Sequence, residues 1–400
     1  MRIETLAAQW ERSAIALPGL LPSPPLSAGE LWEVLVRAAA QYRPGGDGLA
    51  AIGARPFDIR FSVDHALRLT DVGRLLPHPE DGSIEGWIAR AARALDGRPF
   101  ELIVNEAQSY SSLLWRRLRQ LLAPLAECVD LASTRAEAAL FVRTQTVTTL
   151  GVHRDDASVL LFPLAGTKTM LVWPSSVLPS APVSTLDYGE WRPRATVLTG
   201  GPGDALYWPS DCWHVGESNS SWTASLNLGF HLGRSPASVL AQTVRELLEQ
   251  DAGGRAEGGG PGPAPADLLG SLRRMVLGDR LERALRSESL ARRSAMGFTR
   301  CPGGPSGVSA GSEIQQAPDC PVLAEPWGEG QLLLAANGRR FQATATPAVD
   351  RLLAALRAGE RHTLESLAAA CAGSDADEER YLRTLLERLV AAGAVEARTP

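Results

Sequence analysis

Nowhere in the 400 residues is there a run of eighteen apolar residues, the length a helix needs to span a bilayer. The opening segment, MRIETLAAQWERS, has no apolar core of the kind a secretory signal requires. Cysteine is scarce: five residues, at 128, 212, 301, 320 and 371, with no paired spacing. That excludes a zinc ribbon and a disulfide framework, and an odd, unpatterned set fits a reducing compartment. The chain is therefore read as cytoplasmic, with no membrane partner. Charge of neither sign dominates, with 40 Lys and Arg against 45 Asp and Glu and a net charge of −5, which argues against broad binding to a phosphate backbone. Histidine is rare as well, at six residues. Three of them, His65, His78 and His362, read as exposed or satisfied side chains.

What remains is an ordinary soluble composition, 44% hydrophobic and 21% charged, long enough for two or three domains with real cores. The most informative stretch is TLGVHRDDASVLLFPLAGTKTMLVWPS, residues 149–175. It offers His153 and Asp155 two residues apart, which in an extended segment puts both side chains on one face. By the same parity Thr149 shares that face and Asp156 points to solvent. A second stretch, GDALYWPSDCWHVGES at 203–218, carries His214 at a strand end. Two histidines and one carboxylate make the facial triad of non-heme iron(II) oxygenases.

The segments around these residues read as strands. Ser158–Phe162 is a short β-prone run ended or edged by Pro163, and Ala165–Gly166–Thr167 is a tight turn from which Thr169–Trp173 returns. Ala205–Trp208 is closed by Pro209, and Trp222–His231 alternates again. Several short strands with Gly/Pro turns point to a double-sheeted jelly roll, the cupin architecture. Lys168 lies on the returning strand among apolar neighbours, where a buried ammonium needs an anion.

With these residues in view, HRDDASVLLFPLAGTKTMLVW and GDALYWPSDCWHVGES resemble the core of the JmjC-type iron(II)/2-oxoglutarate oxygenases, over roughly residues 140–232. The resemblance implies that His153, Asp155 and His214 hold Fe(II), that Lys168 binds the distal carboxylate of 2-oxoglutarate, and that Asn227 in SLNLGFH also faces the cosubstrate; Thr149 is a further cosubstrate candidate by its strand parity with His153. It implies oxidative decarboxylation of 2-oxoglutarate with O2, coupled to hydroxylation of a substrate C–H bond. His231 reads as a packing residue beside the site rather than a ligand.

Taken in order, the chain reads as α+β. Residues 1–130 form an N-terminal α/β layer, with helical stripes at Leu31/Val34/Leu35/Ala38, Trp87/Ile88/Ala91/Leu95 and Leu114/Leu118/Leu121/Leu122/Leu125. Residues 131–235 form the JmjC/cupin core. Residues 236–300 are helical, with amphipathic stretches around 236–250 and 267–290 separated by the Gly/Pro-rich 251–267, and are expected to pair two chains as a homodimer. A linker at 301–321 leads to 322–400, whose strand-like Leu332–Leu334 and three helical stripes look like a winged helix. That order resembles the ribosomal-oxygenase branch of the family and implies a protein or peptide substrate. Winged helices can bind DNA, but residues 327–400 carry nine arginines against ten acids, and the last helix opens with DADEER, so no nucleic-acid partner is expected. Two other readings stand beside the hydroxylase: the same chemistry on a natural-product precursor peptide, and a binding or regulatory protein built on an inert cupin.

Overall fold

A computed structural model describes residues 2–42, 59–68, 70–131, 134–178, 185–231, 278–303 and 308–398, with a few isolated positions between 240 and 273. The chain divides into two compact units, residues 1–232 with 296–303, and residues 233–295 with 304–400. Among the described residues no helix is long and apolar enough to cross a membrane, and all five cysteines are free.

The first unit opens with α1 (Arg2–Gln9) and β1 (Ile15–Leu17). Helix α2 (Ala28–Gln41) starts at a capping box in which Ser27 and Glu30 satisfy each other's backbone N–H, and it buries Leu31, Val34, Leu35 and Ala38 at helical spacing. Strands β2 (Ile59–Val63) and β3 (Ala66–Leu67) form a short hairpin, followed by α3 (Ile84–Ala94), β4 (Phe100–Val104) and α4 (Ser112–Ala126). Pro124 sits inside the last turn of α4. The remaining strands are β5 (Arg135–Arg143), β6 (Ser158–Ala165), β7 (Lys168–Pro174), β8 (Thr196–Gly200), β9 (Ala205–Trp208), β10 (Cys212–Glu217) and β11 (Thr223–His231).

These strands make one eight-stranded sheet, in the order β1-β9-β6-β11-β5-β4-β2-β3, and one three-stranded sheet, β10-β7-β8, with antiparallel pairing throughout. A shared apolar cluster joins them: Val159 and Leu161 of β6 and Leu206 and Trp208 of β9 against Met170, Val172, Leu198 and Cys212 of the smaller sheet. This is a cupin-like double sheet within an α+β unit. Strands β2 to β4 of the N-terminal region are not a separate sheet but extend the large one edge to edge through β5.

Two local expectations are corrected here. The turn at Ala165–Thr167 does not close a hairpin, because β7 pairs with β10 and β8 rather than with β6; the chain crosses there from one sheet to the other. Pro163 does not end its strand, though it does lie where one side of β6 is an edge. It lies within β6, where the register against β11 shifts and beyond the reach of β9, which pairs only with 159–161, so its missing N–H breaks no ladder bond there.

Register fixes which side chains share the inner face. Asn227 of β11 lies opposite Leu161 and Ala139, Ser225 opposite Phe141, and Thr223 opposite Arg143, which in turn faces Glu101 on β4. Leu161 belongs to the cluster between the sheets, so the period of two places Asn227, Phe141, Arg143 and Glu101 on that same face.

In the second unit α5 (Arg280–Ser294) carries Arg283 and Arg286 over the ring of Trp327, at 4.8 and 5.7 Å. Strand β12 (Glu313–Gln316) precedes a meander of β13 (Leu323–Gly328), β14 (Gln331–Ala336) and β15 (Arg339–Thr344), whose last turn is Asn337–Gly338, both at positive φ. Helices α6 (Pro347–Ala358), α7 (Leu364–Ala372) and α8 (Ala376–Ala391), with β16 (His362–Thr363) and β17 (Val395–Arg398), complete it, β12 lying between β16 and β17. The three helical stripes share one core that includes Leu352, Leu367 and Leu386. The acids of DADEER have a local reason: Asp375 caps α8, and Asp377, Glu378 and Glu379 occupy its first turn, where the helix dipole favours negative charge.

Candidate metal centre

His214 sits on β10, in the smaller sheet, buried to 3% exposure. His153 precedes β6 in a segment that is not a strand, yet it forms a single bridge to His214: each residue's N–H donates to the other's carbonyl, at 3.1 and 2.8 Å. That bridge brings the two rings to 4.2 Å between centroids, and the ring of Trp208 flanks His214 at 4.9 Å. Gly151 makes the approach possible. It has φ +61°, and a Cβ there would lie 2.4 Å from the carbonyl oxygen of Thr185, which accepts from the N–H of Val152.

Each imidazole is fixed through its other nitrogen. His153 Nδ1 lies 2.9 Å from the Gly151 carbonyl and His214 Nδ1 lies 3.3 Å from the Cys212 carbonyl. A carbonyl can only accept, so Nδ1 carries a proton in both rings, and Nε2 is the nitrogen turned toward Asp155. Both Nε2 atoms face Asp155 Oδ2, at 3.8 Å from His153 and 3.6 Å from His214. One ligand atom from each of the three lies within 4.8 Å of the others. Burial, with His153 adding to it, holds His214 neutral far below the usual histidine range. Withdrawal from water raises the Asp155 carboxyl above its usual range, opposed by His153. Two imidazole nitrogens and a carboxylate oxygen converging on one point form the donor set that a divalent transition metal satisfies.

Deeper in the same interior lies Lys168, at the start of β7, 5% exposed and with its Nζ 5.9 Å from the centroid of the Phe141 ring. Among the described residues it makes no ion pair. Burial pushes its ammonium well below the usual lysine range, Arg143 adds to the effect and Glu101 opposes it. Gly216 gives it room, since a Cβ there would stand 3.1 Å from Met170 Sδ and 3.2 Å from Lys168 Cε. Asn227 faces the interior with its Oδ1 accepting from the Ser225 hydroxyl at 3.0 Å, which leaves its amide hydrogens available.

Thr149 is placed differently from its expected position. It lies in a turn, not on a strand shared with His153, because Gly151 at positive φ breaks the extended run between them. Its N–H donates to Glu101 at 3.0 Å and its hydroxyl accepts from Gln145 at 2.7 Å. Asp156 is outside the triad, 89% exposed at the side chain, and accepts from His231 Nδ1 at 2.9 Å; His231 Nε2 also lies 3.3 Å from Glu137. Two interior residues went unread in the sequence, Glu101 and Arg143. Both signals were there to find, an acid inside the apolar strand FELIV and an arginine at the inward parity of RAEAALFVR.

Residues 114–238 match the model of the JmjC domain. The stretch that holds the two histidines, Asp155 and Lys168 is thus a JmjC domain, built on a cupin-like pair of sheets. The whole chain is similar in fold to YcfD of Escherichia coli, at a TM-score of 0.51 and 16% identity, covering 99% of this chain and 97% of that one. A second structure, of YcfD as a ribosomal oxygenase with cobalt and succinic acid, matches at 0.51 and 15% over 100% and 99% of the two chains. A third, with cobalt and 2-oxoglutarate, gives the same values. No curated protein matches the sequence.

Proposed function

We propose that the protein is an iron(II)- and 2-oxoglutarate-dependent hydroxylase of a protein or peptide side chain. The observation that carries this reading is the converging His153, Asp155 and His214 donor set with a buried Lys168 that makes no ion pair among the described residues. Its support from likeness is the fold of YcfD, whose structure is known in complex with cobalt and 2-oxoglutarate. His153 and His214 would hold the metal through Nε2, and Asp155 through its carboxylate. Bound there, iron(II) with O2 supplies the oxidising chemistry: 2-oxoglutarate, O2 and a substrate C–H become succinate, CO2 and C–OH.

The protein's own residues do the rest. The bridge between residues 153 and 214 sets the angle of both rings, and the Gly151 and Cys212 carbonyls keep their protons off the metal side. Lys168 pairs with the distal carboxylate and Asn227 donates to the cosubstrate. Thr149, held by Glu101 and Gln145, rims the same space. Trp208 and the cluster around Met170 keep water from the inner wall. A ribosomal protein is the substrate class that the likeness to YcfD favours. The C-terminal unit, with three helices over a small sheet, we read as a winged helix that contacts protein rather than nucleic acid. The sequence domains 1–130, 131–235, 236–300 and 322–400 and a cytoplasmic location belong to the same reading, while the expected linker 301–321 carries β12 (Glu313–Gln316), the central strand between β16 and β17.

The test is succinate release with varied 2-oxoglutarate at saturating iron(II), alongside mass spectrometry of ribosomal-protein peptides for the gain of one oxygen. Losing the charge-assisted contact should cost roughly 2–5 kcal/mol, so Lys168→Ala should raise the apparent KM for 2-oxoglutarate by about one to three orders of magnitude. An unchanged KM would remove Lys168 from the cosubstrate site, and absence of 2-oxoglutarate turnover in the iron-loaded wild type would overturn the hydroxylase reading.

A further inference from the structure

We propose that Arg143 is a second cation of the carboxylate pocket, gripping the distal carboxylate of 2-oxoglutarate together with Lys168; this rests on the cosubstrate reading just given. Arg143 ends β5 on the inward face, opposite Thr223 and Glu101, and is 1% exposed. Its guanidinium is only partly satisfied. Nη1 donates to the Gly216 carbonyl at 2.9 Å and Nε reaches the Thr223 hydroxyl at a long 3.4 Å, while the buried Nη2 has no hydrogen-bond partner. An orphaned arm of a buried guanidinium is rare, because desolvating a charged donor is costly.

The open arm belongs to the same pocket as Lys168. Gly216, whose carbonyl holds Arg143, is also the glycine whose missing Cβ leaves room for Lys168, 3.2 Å from its Cε and 3.6 Å from its Nζ. The charges around this glycine do not balance. Glu101 acts on both cations but gives its two oxygens to the Thr148 hydroxyl and the Thr149 N–H. Glu217, also felt by Arg143, is taken by Arg192 and Tyr188. Two buried basic side chains thus share one inward carboxylate that bonds to neither. An entering carboxylate has two oxygens and supplies the missing charge: Lys168 serves as a point charge to one oxygen and Arg143 Nη2 as a directed donor to the other.

The experiment is calorimetric titration, under nitrogen, of the Mn(II)-loaded full chain with 2-oxoglutarate and with 2-oxobutyrate, which lacks the distal carboxylate. Arg143→Gln should weaken 2-oxoglutarate about ten- to thirtyfold while changing 2-oxobutyrate less than about twofold, as expected for one charged hydrogen bond to the missing group. Arg143→Lys keeps the charge without the fork and should fall between wild type and Arg143→Gln; it also keeps the test open if the glutamine variant does not fold. Equal weakening of both ligands would make Arg143 a structural tie to Gly216 and overturn the proposal. So would wild-type 2-oxoglutarate binding in Arg143→Gln beside a weakened Lys168→Ala, which leaves Lys168 as sole anchor. If Lys168→Ala and Arg143→Gln both bind 2-oxoglutarate as the wild type does, the cosubstrate reading itself fails.

Discussion

At the scale of single residues, the donor set was legible because its chemistry is local: two ligands lie within three positions and the third stands in a compact strand-end motif. Lys168 was legible for the same reason, a lone amine in an apolar strand. Arg143 and Glu101 were not, although both are inward and charged, because what joins them to the site is register between β4, β5 and β11 rather than spacing along the chain. Thr149 shows the opposite failure: parity assumes extended backbone, and Gly151 at φ +61° interrupts it. The electrostatics of Asp155 yield a prediction of their own. Its carboxyl is raised by withdrawal from water, so the folded chain binds that proton more tightly than the unfolded chain does. Such a group adds stability at low pH that is lost as pH rises through its folded pKa, and at neutral pH its charge is a net cost unless a cation offsets it. Because the side chain is 45% exposed, solvent screens most of that cost, and Asp155→Asn should melt close to the wild-type temperature in chelator at pH 7, yet lose the increment that iron(II) or Mn(II) gives the wild type. A variant that melts several degrees lower in chelator would mark Asp155 as a structural residue instead.

At the scale of elements, helices were the easier reading. Stripes at Leu31/Val34/Leu35/Ala38 and in α6 to α8 became buried faces, since a helix's inward positions follow from its own period. Strands were found but their partners were not. A turn such as Ala165–Thr167 looks the same whether the next strand folds back beside the last or crosses to the facing sheet, and only long-range pairing decides it. Caps can be tested one at a time. Glu30 accepts from the N–H and hydroxyl of Ser27 at 2.9 and 2.8 Å and from Arg117 of α4 at 2.7 Å, so one carboxylate both starts α2 and ties it to α4. The Arg117 bond, then the Ser27 backbone, lowers its pKa to about 2. Its contribution is thus present above the ordinary glutamate range and fades as pH falls toward 2. Because the pair is partly exposed, at 39% and 26%, Glu30→Ala should cost only about 1 kcal/mol at pH 7. Urea melts should show the gap between variant and wild type narrowing from pH 5 to pH 3; a gap independent of pH would assign the effect to packing.

At the scale of the whole molecule, the likeness to YcfD runs the full length of both chains, so the two units are both part of the shared fold and not an oxygenase with an unrelated appendage. Composition marks Gly/Pro-rich breaks at 251–267, which lies outside the described residues, and at 301–321. Parts of the stretches expected to pair two chains, 236–250 and 267–290, lie outside the described residues too. Assembly is therefore argued from their pattern. Val239, Leu240, Val244, Leu247 and Leu248 recur at helical spacing, as do Leu268, Leu272, Met275 and Val276, and a helix with an apolar stripe is stable in water only when something covers it. Of the described positions, Leu247 is already buried at 6% exposure, while Leu240 is 42% exposed and is surface for a partner to cover. A second copy of the chain is the partner that needs no further component, and twofold pairing is the commonest closed arrangement. Light scattering at tens of micromolar should return twice the 42.6 kDa chain mass. Replacing Leu240 and Val244 together by Asp should shift that mass toward the monomer while leaving iron(II) affinity intact, since neither residue is near the donor set in the sequence. A wild-type mass of one chain would end the dimer proposal without touching the hydroxylase.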